Sequence, residues 1–142
     1  MNLFKMAATA PLLALAANTQ GASQVEVAIE GVRNGRGDLH LCLTRDSRHF
    51  PDCGNDPAAI KRTVPASTRQ LTLNVAPGEY ALSIFHDENR DRKLDTFLGI
   101  PREGFGFSRN PRILFGAPRF RSVVIGIPQG FTRLSVRMQY ML

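Results

Sequence analysis

The stretch Gln70-Leu71-Thr72-Leu73-Asn74-Val75-Ala76-Pro77-Gly78-Glu79-Tyr80-Ala81-Leu82-Ser83-Ile84 decides the fold class. Leu71, Leu73 and Val75 alternate with Gln70, Thr72 and Asn74. Beyond the turn at Ala76-Pro77-Gly78, Tyr80, Leu82 and Ile84 alternate with Ala81 and Ser83. A period of two places successive side chains on opposite faces of an extended chain, so each run is a strand with one face buried. The pattern recurs outward. Val25, Val27 and Ile29 face away from Glu26 and Glu30, Asn34-Gly35 and Gly37 mark a turn, and Leu39, Leu41 and Leu43 alternate with Asp38, His40 and Cys42. These two runs read as a hairpin. Downstream, Val123, Ile125 and Ile127 form a strand, Pro128-Gln129-Gly130 turns the chain, and Leu134, Val136, Met138 and Tyr140 alternate with Arg133, Ser135, Arg137 and Gln139. A seventh strand is expected near Ile60 to Val64. Short strands separated by turn signals, with no run of helical period, predict an all-β fold: a single antiparallel β-sandwich of about seven strands.

The 142 residues suit one domain, and 43% hydrophobic content is enough for one core and too much for a disordered chain. Residues 1–22 read as a signal peptide and short N-terminal segment, and residues 23–142 as the sandwich. Lys5 supplies a positive start, Met6 to Ala17 an apolar core, and Ala14-Leu15-Ala16 a small-x-small cleavage site. No run reaches the 18 apolar residues of a membrane span. The predicted location is therefore periplasmic or secreted. In that setting the two cysteines, Cys42 and Cys53, are most simply a disulfide closing a loop of about 12 residues. His40 and His49 lie near enough in sequence to make a mixed Cys/His metal site the alternative.

The net charge is +6, and fifteen of the 18 basic residues are Arg. No acidic residue follows Glu103, whereas Arg109, Arg112, Arg119, Arg121, Arg133 and Arg137 do. A one-signed field attracts polyanions. For an exported chain with no nucleic-acid motif, anionic envelope glycans or an acidic partner fit better than DNA or RNA.

Residues 86–118 break the regular spacing. They hold an acidic run, then Gly99, Gly104, Gly106 and Gly116 with Pro101, Pro111 and Pro118, and Phe97, Phe105, Phe107 and Phe115. A connection this long inside a compact domain is usually functional, and four phenylalanines supply apolar surface to order it. The run His86-Asp87-Glu88-Asn89-Arg90-Asp91-Arg92-Lys93-Leu94-Asp95, continuing through Gly99-Ile100-Pro101-Arg102-Glu103-Gly104-Phe105-Gly106-Phe107-Ser108, resembles the hallmark of an uncharacterised bacterial exported family, domain of unknown function 2141. Pro77-Gly78-Glu79-Tyr80-Ala81 and Phe115-Gly116-Ala117-Pro118-Arg119-Phe120 are similar to its pattern too, and the resemblance runs from about Val25 to Tyr140. It implies an exported immunoglobulin-like or transthyretin-like sandwich with no established activity. Members often carry Asn-Gly where this chain has Asp91-Arg92.

Three chemistries suit the segment. Asp87, Asn89, Asp91 and Asp95 stand at positions 1, 3, 5 and 9 of a loop, the spacing by which calcium loops aim oxygens at one point, and the Lys93 carbonyl falls at position 7. Against calcium stand Arg92 where the sharp turn wants Gly, Leu98 where a bidentate Glu belongs, and Arg90, Arg92 and Lys93 nearly cancelling the carboxylates. The alternative reading of those side chains is a self-capping turn. His86, Asp87 and Glu103 offer acid/base groups for a hydrolase, although Ser83 and Ser108 sit in no nucleophile elbow. Gly104-Phe105-Gly106-Phe107 is expected to fold tightly with its phenylalanines on the sandwich, and Glu103 to pair with an Arg such as Arg109. The leading expectation is a non-enzymatic binding or structural module. Its surface would draw on His86, Asp87, Asn89, Asp91, Asp95, Glu103, Phe105, Phe107 and Ser108 to take an envelope ligand or protein, with calcium as the one possible cofactor.

Overall fold

Alternation lays the strands into two facing sheets. The computed structural model describes residues 21–142, so all but the last two residues of the leader and N-terminal segment expected over residues 1–22 lie outside the described residues. The first sheet has the order β10-β1-β4, with β1 at Ser23–Glu30, β4 at Gln70–Val75 and β10 at Gly130–Arg137. The second runs β3-β2-β5-β8, with β2 at Asp38–Thr44, β3 at Ile60–Pro65, β5 at Gly78–Asp87 and β8 at Phe105–Phe107. A short β9, Ile125–Ile127, pairs with the start of β5. Two further pieces, β6 at Thr96–Phe97 and β7 at Ile100–Pro101, form a separate ribbon, and a single helical turn α1 spans Phe120–Val123. Each of the seven expected strands has a counterpart, but the run expected from Val123 is strand only over Ile125–Ile127, Val123 closing α1, and the last strand ends at Arg137, short of Met138 and Tyr140; β6, β7 and β8 inside the long connection are additional.

The inward faces are the predicted ones. Val25, Val27 and Ile29 of β1, Leu39, Leu41 and Leu43 of β2, Leu73 and Val75 of β4, and Leu82 and Ile84 of β5 are buried in one core between the sheets. Each such side chain removed from water is worth about 1.5–3 kcal/mol.

Two expectations need correction. β1 and β2 are not a hairpin: β1 pairs with β4 and β10, and β2 with β3 and β5. The connection over residues 31–37 instead crosses from one sheet to the other, so the two apolar faces meet across the core. It passes so close to the end of β5 that a Cβ on Gly37, at φ +71, would lie 1.9 Å from the Asp87 carbonyl oxygen. The sandwich is also not wholly antiparallel. β10 lies parallel to β1, with Val25 opposite Thr132 and Ile29 opposite Val136. Alternation reports which face a strand buries, not its direction, so only the tertiary path distinguishes the two.

β5 is buried on both faces. Its outer face carries a second, smaller core, in which Ala81, Phe105, Phe107 and Val123 pack with Phe50, Ile113 and Phe120. The Gly residues of the Gly-Phe-Gly-Phe run make this possible. A Cβ on Gly106 would meet Val136 Cγ1 at 2.7 Å, and one on Gly104 would meet the Tyr140 ring at 2.3 Å. β8 is thereby pressed onto the first sheet while its phenylalanines face outward. Phe105 and Gln139 exchange backbone hydrogen bonds at 3.0 and 2.7 Å, which stitches the two sheets together.

Cys42 and Cys53 form a disulfide, with Cα atoms 5.6 Å apart, inside the usual range for the bond. The mixed Cys/His metal site is thereby excluded, because neither sulfur is a free thiolate. The bond fastens the connection after β2 together with buried Asp56, which accepts the Thr44 hydroxyl at 2.7 Å, and with the Ser83 hydroxyl, which donates to the Pro51 carbonyl. Replacing both cysteines with Ala is expected to lower unfolding free energy by about 2–4 kcal/mol with the far-ultraviolet spectrum unchanged. Urea denaturation of the variant beside wild type, each with and without reductant, checks this; reductant should shift wild type only.

Candidate functional site: loops held by buried carboxylates

β5 ends at His86 and Asp87, both fully buried. The Asp87 carboxylate accepts the backbone N–H of Asp91 at 3.1 Å on Oδ1 and that of Arg92 at 2.9 Å on Oδ2, and Oδ2 also meets His40 Nε2 at 2.8 Å. Glu103, 4% exposed, accepts Glu88 N–H at 3.0 Å and Asp95 N–H at 3.1 Å. Two buried carboxylates therefore grip four backbone donors of the 88–95 turn. Asp91 Oδ1 accepts Lys93 N–H at 2.9 Å, and the Asn89 amide donates to Asp95 Oδ2 at 2.7 Å. Arg90 and Arg92 take left-handed backbone, φ +57 and +62, at about 1–2 kcal/mol each for a residue with a Cβ. Hydrogen bonds to a charged acceptor, about 1.5–3 kcal/mol apiece, offset that strain. Arg92 thus makes the turn that a Gly was expected to be needed for.

Burial alone would push the Asp87 carboxyl up. The hydrogen bonds from His40 and from the Arg92 and Asp91 N–H groups outweigh it and hold the group below its ordinary value. Glu103 goes the other way: burial raises it, and two backbone donors do not compensate beside the Asp95 and Asp87 carboxylates. The expected pairing of Glu103 with Arg109 does not occur; its partners are backbone, because it sits beneath the turn rather than on the surface.

A second network closes the neighbouring side. The His86 Nε2 lies 2.6 Å from the Arg36 carbonyl, which can only accept, so Nε2 carries the proton. Nδ1 lies 2.8 Å from the Tyr140 hydroxyl, and that oxygen also accepts Arg33 N–H at 3.2 Å. The Arg33 guanidinium stacks 4.5 Å above the Tyr140 ring. It pairs with Glu88 at 2.6 Å and donates to the Arg102 and Leu142 carbonyls at 2.9 and 2.7 Å. Its hydrogen bond holds Glu88 below the usual carboxylate range.

An open polar cleft of about 590 Å³ lies against this network, lined by Arg33, Arg36, Glu88, Asn89, Asp95 and Glu103 among others. His86 and Asp87 do not line it, so the three groups considered for a hydrolase do not converge on one cavity. Ser108 is buried, its hydroxyl bonded to the Val123 carbonyl at 2.5 Å and accepting Leu82 N–H at 3.1 Å. The carboxylates that do converge are Asp87, Asp91 and Glu103, with ligand oxygens within 4.8 Å of one another. The sequence pointed to Asp87, Asn89, Asp91 and Asp95, but Asn89 and Asp95 bond each other, and Glu103 arrives from the far side of the β6–β7 ribbon.

On the other side of the ribbon the surface is apolar. A groove of about 250 Å³ runs between residues 94–101 and 113–117, floored by Phe105, Phe107 and Pro51. Phe105 and Phe107 pack on the sandwich as expected. Phe97 and Phe115 do not: they are 56% and 98% exposed.

The sequence pattern of an uncharacterised protein family conserved in bacteria matches residues 27–134. The chain belongs to this family, DUF2141. No curated protein and no solved structure matches it. The DUF2141 match takes in Asp87, Glu103 and both loops of the groove, and stops short of Tyr140. Arg33, His40 and Tyr140 were not singled out for this site from the sequence. Each lies about fifty residues or more from its partner, and no local pattern announces such contacts.

Because the folded Asp87 value lies below its unfolded 3.8, the carboxylate stabilises the fold above about pH 4. That contribution is lost as pH falls through the lowered folded value. Glu103 acts oppositely: its contribution is present below its unfolded 4.5 and lost as pH rises through the raised one. Asp87→Asn is expected to cost about 2–3 kcal/mol at pH 7 and to flatten the loss of stability below pH 4. Melting curves from pH 2 to 7 check both.

Proposed function

We propose that this DUF2141 chain is an exported, non-enzymatic binding module of the bacterial envelope, with the 86–118 segment as its binding face. One observation carries the proposal. Of the nine large hydrophobic side chains exposed among the described residues, eight sit on residues 94–100, 114–115 and 141–142. Large apolar side chains concentrated on a few loops and left in water mark an interaction site. The 94–100 part of this surface follows a turn held by Asp87 and Glu103, which lowers the ordering cost of binding there. Export is supported by the leader-like residues 1–22, by the Cys42–Cys53 disulfide, and by the lack, among the described residues, of any helix long and apolar enough to cross a membrane. The non-enzymatic reading is supported by His86, whose two ring nitrogens are both engaged and which is shut off from the cleft. A photo-crosslinking residue at Leu114, in cells exporting the chain, is expected to give a discrete protein or lipid adduct. The same residue at Phe131, exposed on β10, is expected to give none. Absence of any adduct at Leu114 removes the proposal.

A second reading rests on the convergence of Asp87, Asp91 and Glu103: the turn takes up calcium in the weak extracellular range, about 10⁻⁴–10⁻³ M. A millimolar excess is then expected to raise Tm by a few degrees, about 1 kcal/mol. Asp91→Ala, an exposed position, should abolish the rise. Calorimetry with calcium against chelator decides it, and an unchanged wild-type Tm ends this reading.

A further inference from the structure

We propose that the loop end of the sandwich docks on an anionic lipid bilayer, with Leu98 and Phe115 entering the membrane interface and the basic residues at the feet of their loops facing the headgroups. The inference rests on the reading of these loops as the binding face and adds the occupant.

The two apices are the most exposed large hydrophobic side chains among the described residues, Phe115 at 98% and Leu98 at 86%. Leu98 and Gly99 form the β6–β7 turn at φ +51 and +78, and Gly116 follows Phe115 at φ +61. The loops face each other across the apolar groove, with Thr96, Gly99 and Pro101 on one wall and Ile113, Gly116 and Ala117 on the other. They therefore act together. Leu98, Leu114 and Phe115 do not line that groove. A small ligand or a single acyl chain filling it would leave them in water, whereas an extended interface covers groove and apices at once.

Charge selects the kind of interface. Arg92 and Lys93 precede the first loop and Arg102 follows it; Arg112 and Arg119 bracket the second. All five are exposed, and none pairs with a carboxylate among the described residues. Residues 90–121 hold eight basic and three acidic side chains, and one of the three, Glu103, is buried on backbone donors. Five cations without a paired carboxylate complement an anionic surface. Apolar tips on loops flanked by such cations match the boundary between acyl chains and anionic headgroups.

The chain has no Trp, so Phe115→Trp places a sole fluorescent reporter at one apex. Phe131→Trp, at a position 56% exposed near the start of β10, is its control. Vesicles of phosphatidylcholine with about 30% phosphatidylglycerol are expected to blue-shift the fluorescence of the Phe115→Trp variant, and brominated lipid to quench it, with the Phe131→Trp variant unaffected. Leu98→Asp in the Phe115→Trp background should weaken partitioning at least tenfold. Arg112→Gln and Arg119→Gln should each weaken it about fivefold, and raising salt from 0.1 to 0.5 M should weaken it further. No response of the Phe115→Trp variant at millimolar lipid, an equal response of the Phe131→Trp control, or equal partitioning into pure phosphatidylcholine overturns the lipid assignment. If the apex reporter stays silent while Leu114 crosslinks to a protein, the membrane is the wrong occupant and the binding face survives. If both fail, both fall.

Discussion

The Asp87 carboxylate is the point on which the rest of the structure depends. It sits where β5 leaves the sandwich, fully buried, and a lone charge there would be prohibitively costly. The cost is met by two backbone N–H groups from the turn that follows and by His40 from the neighbouring strand. One group thus ends a strand, shapes a turn containing two left-handed arginines, and ties that turn to β2. Glu103 repeats the device from the other end of the ribbon. The loop is fixed by the side chains beneath it rather than by those on its surface.

That arrangement explains how a connection of some thirty residues stays ordered. Its apolar content is divided. Phe105 and Phe107 go down onto the outer face of β5 and build a second core there. The glycines between and before them let β8 close onto β10 and Tyr140. Phe97, Leu98, Leu114 and Phe115 stay outside. Burial of the first pair holds the platform, so exposing the second group does not cost the fold. Arg92, Lys93, Arg102, Arg112 and Arg119, which flank the exposed group, pair with no carboxylate among the described residues, whereas Arg33, at the network's centre, bonds Glu88 and two backbone carbonyls. Asp87 and Glu103 are buried while the arginines of the segment are exposed, so its surface is more positive than its sequence.

Much of the fold was legible. The inward residues of β1, β2, β4, β5 and β10 follow from alternation, because a pleated strand can bury only one parity against a core. The Cys42–Cys53 bond followed from an isolated pair in a chain read as exported. Pairing partners were not legible. The turn signals between β1 and β2 look like those of a hairpin, but whether a turn joins neighbours or crosses a sandwich depends on where both strands find the rest of the core. The site was legible in part. Asp87, Asp91 and Glu103 stood out as polar groups in a segment of known pattern; what the spacing did not show is that Asn89 and Asp95 bond each other and that Glu103 joins Asp87 and Asp91.

By itself, then, the sequence determined which residues face inward, where the chain turns, and that residues 86–118 depart from the sandwich rhythm. These are local properties, written in a two-residue period and in the backbone preferences of Gly, Pro, Asn and Asp. The tertiary structure alone decided that β1 and β10 run parallel, that Asp87 reaches His40, that Tyr140 bridges Arg33 and His86, and that Phe97 and Phe115 stay exposed. Those outcomes depend on which distant segments win the same patch of core, a competition settled by packing and by the need to pair every buried polar group, and no window along the chain contains its result.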